Sequence, residues 1–203
     1  MDVLIIILFS YLSGSIPFGL ILTKIFGNQD IRNIGSGNIG ATNVLRSGNK
    51  FLAALTLVLD ILKGYIPVVI AQQYFPGAIQ LSCLLAFLGH VFPVWLKFKG
   101  GKGVATYLGI LLALSIQLAL LFMFTWLLVS LIFKYSSLSS MFSSLTVFIV
   151  TLIKDTALRS IDSNTYIEED IKLILFIFFI LIMFTHRKNI SNLKNKTEHK
   201  IKI

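Results

Sequence analysis

From Val104 to Phe133 the chain runs for about thirty residues without a charged side chain. Hydrocarbon offers the backbone no hydrogen-bond partners, so a run of this kind must close its own bonds as helix. As one helix it would measure about 45 Å, too long for a hydrocarbon core of about 30 Å. Lys97, Lys99 and Lys102 precede the run and Lys134 follows it. Short basic loops mark the cytoplasmic side, so the run is expected to cross twice, turning near Ser115-Ile116-Gln117.

Other apolar runs flank it. Val3 to about Phe26 is interrupted by Ser13-Gly14-Ser15-Ile16-Pro17, where Pro17 removes a helical hydrogen bond and predicts a kink. Its leading residues carry Asp2 and no Lys or Arg, unlike a cleavable signal peptide. Further spans are expected from Phe51 to about Ala71, about Ala78 to Leu96, Met141 to about Ile153 and Ile171 to about Thr185. Between the later ones lie a hydroxyl-rich break, Tyr135-Ser136-Ser137-Leu138-Ser139-Ser140, and a polar, acid-rich segment from Lys154 to Asp170. With 56% hydrophobic and 13% charged residues and a mean hydropathy of +0.84, the chain reads as an all-α integral membrane protein. The expected architecture is one polytopic domain over residues 1–203, a bundle of about seven transmembrane helices. Its N-terminus lies outside, and its basic tail, 187–203, lies in the cytoplasm. The net charge of +9 sits in short loops and the tail, so topology accounts for it without nucleic acid. Cys83 is the only cysteine, which excludes an intrachain disulfide, and three histidines without metal-type spacing predict neither metal nor cofactor.

Two polar stretches stand out against this background. Gly35-Ser36-Gly37-Asn38-Ile39-Gly40-Ala41-Thr42-Asn43-Val44-Leu45-Arg46 is dense in glycine, and its N–H groups can converge on an anion. Ser36, Asn38, Thr42 and Asn43 add neutral hydrogen-bonding groups, and Arg46 adds a planar fork suited to phosphate. Lys97-Phe98-Lys99-Gly100-Gly101-Lys102-Gly103 is a second basic glycine loop that lacks the P-loop spacing. Its lysines are equally readable as positive-inside anchors. Asp60 and Lys63, three apart within a span, are read either as an ion pair or as a site at depth.

In order, Gly35 to Asn43, Gly89-His90-Val91-Phe92-Pro93 with Lys99 to Thr106, Tyr135-Ser136-Ser137-Leu138, and His186-Arg187-Lys188-Asn189-Ile190 resemble the motifs of the bacterial acyl-phosphate:glycerol-3-phosphate acyltransferases of the PlsY type. The resemblance extends from Gly14 to Ile201. It departs at Ile39, where the family usually has proline, at Asn192, usually arginine, and at Lys196, usually glycine. It implies a seven-helix bundle in the bacterial inner membrane, with the active site on the cytoplasmic side. It further implies acyl transfer from acyl phosphate to the 1-hydroxyl of glycerol 3-phosphate, giving lysophosphatidate and phosphate as the first acylation of phospholipid synthesis. A separate enzyme would make the acyl phosphate.

The implied catalytic residues are Ser36, Arg46, Lys102 and His186. The implied substrate-binding residues are Gly35, Gly37, Asn38, Thr42, Asn43, His90, Gly100, Gly101, Gly103, Ser136, Ser137 and Asn189. Two phosphate-bearing substrates need cations and N–H donors in two places, which these residues would supply. The proton acceptor stays open between a histidine, His90 or His186, and a phosphate oxygen of a substrate. A Ser36 acyl-enzyme is the third possibility, although Gly35-Ser36-Gly37 is not the nucleophile-elbow pattern. A transporter or channel for an organic phosphate is the competing class. It would place its site near the midplane of repeated halves, and no repeat is visible. A metal-dependent phosphatidyl-alcohol transferase would need clustered aspartates, which are missing.

Overall fold

The computed structural model describes residues 2–161 and 169–201. The described residues fold as helices joined by short turns, without a strand. The chain divides into two compact units, residues 1–115 and 116–203.

In the first unit, α1 (Asp2–Ser15) and α2 (Phe18–Phe26) are one apolar run bent by 43° at the Ile16-Pro17 break. Pro17 donates no N–H and cannot continue α1, so the expected kink is a true interruption. A single helical turn, Ile31–Asn33, leads through the glycine loop to the short α3 (Ala41–Arg46). Next come α4 (Lys50–Tyr74), α5 (Ile79–Val91) and α6 (Val104–Leu114). Asn49 caps α4, its side-chain oxygen accepting from the Leu52 amide at 3.0 Å. Helix α4 is central, in contact with α1, α2, α3, α5 and α6. Small residues permit these close approaches: Gly14 lies against the Ala86 backbone, and Gly64 against that of Thr106. At one end Ile6, Ala71 and Ala78 form an apolar cluster. At the other, Leu20, Leu22, Ile31, Ile39, Val44, Leu52 and Ala53 form a second.

The second unit consists of α7 (Ile116–Phe133), α8 (Ser136–Ile161), α9 (Glu169–Thr185) and α10 (Arg187–Lys194), with α8 packed against both α7 and α9. Helix α9 passes into α10 with a bend of 56°. The polar, acid-rich segment from Lys154 to Asp170 falls partly on residues 162–168, which lie outside the described residues.

The long apolar run is broken as expected: α6 stops at Leu114, α7 starts at Ile116, and Ser115 is extended. The hydroxyl-rich break needs correction. Helix begins at Ser136 itself and runs through the serines, with the chain turning at Lys134, which has φ 63°. Ser139, Ser140 and Ser143 each donate to the carbonyl four residues back, at 2.7–2.9 Å. Their polar groups are satisfied inside the helix, so they do not interrupt it. By length and composition four helices can cross a membrane, or six if each bent pair counts as one, and α6 is shorter. With α6 these make seven apolar segments among the described residues, in the places the sequence predicts.

Candidate functional site

The first glycine loop is organised by one of its own side chains. Asn43, buried in α3, accepts at Oδ1 from the Ser36 amide (2.9 Å) and the Ser36 hydroxyl (3.2 Å). Its Nδ2 donates to the carbonyls of Ile31 (3.0 Å), Ile34 (2.9 Å) and Asn38 (2.8 Å). An amide has two hydrogens and two lone pairs, so the three carbonyls share two hydrogens and the side chain has no bonding capacity left. Asn43, expected to bind substrate, is thus committed to the loop itself. Asn38 Oδ1 accepts from the Gly40 amide at 2.9 Å and tightens the approach to α3. Gly35 turns with φ 56°, and a side chain there would also collide with Asn43 Oδ1 and crowd the stem of Arg46. Ser36 and Gly37 stay exposed, while Thr42 and Arg46 are half-buried. Ile39, where proline is usual, is buried in the apolar cluster beneath the loop, so packing holds it in place. Just before the loop, Asp30 accepts from the Arg32 guanidinium at 2.9 and 2.6 Å and lies 3.7 Å from Lys24. Chiefly that Arg32 bond holds the Asp30 carboxyl well below the usual carboxylate range.

The second loop is held from below. After the turn Val94–Leu96, the Gly100 amide donates to Val91 O (3.1 Å) and the Gly101 amide to His90 O (3.0 Å). The His90 ring is 3% exposed and lies directly under Gly101, where any side chain would strike Nε2. Close approach of backbone to ring is why glycine is needed there. Gly103 rests on the Phe87 ring in the same way, and half-buried Lys102 stands between the two glycines. His90, expected among the substrate-binding residues, is therefore packed beneath the loop that carries Lys102. Leu96, which leads into this loop, packs on the apolar cluster that carries Ile31, Ile39 and Val44. Both glycine loops thus stand on one footing at the same end of the first unit.

In the second unit, buried His186 lies at the α9–α10 bend, and its Nδ1–H donates to Ile182 O at 2.8 Å. Acceptance of a proton by this ring would fall to Nε2. Asn189 donates to Glu198 Oε1 (2.7 Å), as does the Ser137 hydroxyl (2.8 Å), and Asn192 donates to Oε2 (3.3 Å). Ser136 begins α8 beside Ser137. Glu198 is the organiser that the site assignment missed. Its signal was its charge, the only acid in the basic tail after Arg187. The Ile201 amide donates to Lys134 O at 2.7 Å, closing the tail onto the start of α8. Lys196 sits at φ 58°, which explains why glycine suits that position, and Asn192 supplies a donor where arginine is usual.

These features define an all-helical membrane protein that carries Arg46 and Lys102 in two glycine loops on one footing. The sequence model of the family described as glycerol-3-phosphate acyltransferase matches residues 4–196. The glycerol-3-phosphate acyltransferase of Pelagibacter ubique (strain HTCC1062) is 53% identical over 203 residues, covering 100% of both chains. That of Brucella anthropi is 48% identical over 195 residues, 96% of this chain and 91% of the relative. The crystal structure of PlsY, an integral membrane glycerol 3-phosphate acyltransferase, in its glycerol 3-phosphate form superposes with a TM-score of 0.88. It is 36% identical and covers 100% of this chain and 96% of that one. The lysophosphatidic acid form of PlsY gives 0.86 at 34% identity. The chain belongs to the glycerol-3-phosphate acyltransferase family and is an integral membrane acyltransferase.

Proposed function

We propose that this protein transfers a fatty acyl group from acyl phosphate to the 1-hydroxyl of glycerol 3-phosphate. The observation that supports the reading is the shared apolar footing, on which Val44, two residues before Arg46, and Leu96, six before Lys102, both pack. Solved forms of PlsY with glycerol 3-phosphate and lysophosphatidic acid, at 36% and 34% identity, support it. Arg46 would grip a phosphate with two parallel hydrogen bonds, and Lys102 would add a point charge from between glycines packed on the His90 and Phe87 rings. Ser36 would hydrogen-bond substrate from the exposed crest of the first loop. His186 and Asn189 would be ligands of glycerol phosphate.

Acyl phosphate is a mixed anhydride and already activated. The 1-hydroxyl oxygen attacks the acyl carbon, a new ester C–O bond forms, and the C–O bond to phosphate breaks. The hydroxyl proton leaves on the released phosphate, so no protein base is required. Positioning and neutralisation of charge then provide the acceleration. On this reading the protein lies in the bacterial inner membrane with its site on the cytoplasmic side. A separate enzyme supplies the acyl phosphate.

The test is direct assay of purified protein. Acyl phosphate with glycerol 3-phosphate yields lysophosphatidate in the presence of a chelator, and acyl-CoA yields none. Equal rates with acyl-CoA, or loss of activity with the chelator, would overturn the donor assignment. Sidedness is tested by labelling Asn49→Cys and Asn195→Cys in a Cys83→Ala background. Both should react from the cytoplasm only.

A further inference from the structure

Asp60 and Lys63 of α4 lie inside the first unit, 2% and 3% exposed. Charges at such depth are costly and need a reason to be kept. Lys63 Nζ pairs with Asp60 Oδ1 at 2.7 Å and donates to Ile16 O, also at 2.7 Å. Ile16 lies in the break after α1, where its carbonyl accepts the Phe18 amide at 3.1 Å in place of a helical partner. A cation there meets the negative end of the α1 dipole. Nζ also lies 5.7 Å from the centre of the Phe18 ring, the first residue of α2. One residue on, Gly19 rests against the backbone carbonyl of Ile39 in the first glycine loop. In the other direction, Asp60 Oδ1 lies 3.9 Å from His90 Nδ1. The opposite edge of that ring supports Gly101, and the His90 carbonyl receives the Gly101 amide at 3.0 Å. A series of neighbouring groups therefore runs from the first loop, through α2, Lys63, Asp60 and His90, to the second, bonded at Lys63 and a 3.9 Å approach without a hydrogen bond at His90.

We propose that Asp60 and Lys63 are positioning residues that set the spacing and orientation of the two glycine loops. This rests on the reading of those loops as a pair that binds phosphate. A structural ion pair would be replaceable by apolar side chains, because removing both charges leaves no orphan behind. A positioning pair is not replaceable, because an apolar pair can neither hold the Ile16 carbonyl nor set a carboxylate against the His90 ring. The footing around Leu96 is the rival determinant of loop spacing.

The full chain in detergent, with Cys83→Ala, carries nitroxide labels at Asn33→Cys and Lys99→Cys, exposed positions in or beside the two loops. Inter-label distances are measured by pulsed electron resonance, alongside Tm and steady-state kinetics. Lys63→Met alone should lower Tm by leaving Asp60 unpaired. Asp60→Leu with Lys63→Met should recover most of that Tm. The same double variant should give a broadened or shifted distance distribution. It should also show at least a tenfold higher KM for glycerol 3-phosphate or acyl phosphate, with a smaller change in kcat. Asp60→Asn with Lys63→Gln, which keeps shape and polarity, serves should the apolar pair fail to insert, and the same distance and KM changes are expected. An unchanged, narrow distribution in a stable double variant would overturn the proposal and leave the apolar footing as the sole determinant. If the unsubstituted protein transfers no acyl group, the proposed function fails, and the distance measurement still decides the role of the pair.

Discussion

The two glycine loops of the first unit reach order by different routes. The first is tied by Asn43, whose partners lie between 5 and 12 residues away in the chain. The second takes its shape from α5, through the carbonyls of His90 and Val91 and a ring beneath Gly101. That ring in turn faces Asp60, thirty positions earlier. A loop closed by its own side chain carries its instructions with it. A loop laid over a helix inherits its shape from whatever holds that helix. Substitutions should therefore act locally in the first loop and at a distance in the second.

Asn43→Leu is expected to have the largest effect. It keeps volume but strands three carbonyls and the Ser36 amide. At roughly 1–3 kcal/mol per buried group left unpaired, catalytic efficiency should fall about a hundredfold or more. Helical content by circular dichroism should barely change. Near-normal kinetics would mean that the first loop is not closed by its own amide, and the contrast between the loops would fail.

Arg46→Ala and Lys102→Ala come next, each removing a charge-assisted contact worth roughly 1.5–3 kcal/mol, or about ten- to a hundredfold in kcat/KM. Arg46→Lys should also be harmful, because it keeps the charge and loses the fork. Lys97→Ala should retain near-normal activity as a topological anchor. Steady-state kinetics on monodisperse protein distinguishes the four.

Gly101→Ala tests the second loop from below. The new methyl would strike the buried His90 ring, and overpacking of this kind costs roughly 1–3 kcal/mol. We expect a lower Tm and about a tenfold loss of efficiency. Gly77→Ala is the control: a methyl there meets nothing within 4 Å, so stability should stay within about 0.5 kcal/mol.

The smallest effect belongs to Asp30→Asn, at the edge of the first loop. The folded-state pKa of Asp30 is depressed, so its contribution is present above the unfolded value near 3.8 and is lost as the pH falls below that. The partner side chains of Lys24 and Arg32 are 52% and 48% exposed, so screening keeps the contribution slight. Tm measured against pH should show a small deficit for the variant at pH 7, shrinking below about pH 4.

Much of the architecture was legible in the sequence. Hydropathy reports transfer free energy position by position, which is why the spans, the Pro17 interruption and the break at Ser115 could be read directly. The polarity of the serines in α8 misled, because a hydroxyl can satisfy itself on its own helix, and a linear pattern does not distinguish that from exposure to water. The glycines and cations of both loops were visible as residue types. Only tertiary structure decided which of their neighbours support the loops from within. Asn43 and His90 share the chemistry of binding groups, yet one is consumed in bonds to its own loop and the other lies beneath Gly101. Glu198 gathers Ser137, Asn189 and Asn192 because the tail folds back, a proximity across 61 residues that no local pattern encodes. Residue type sets what a group can bond to, and only the folded chain determines which partner is within reach.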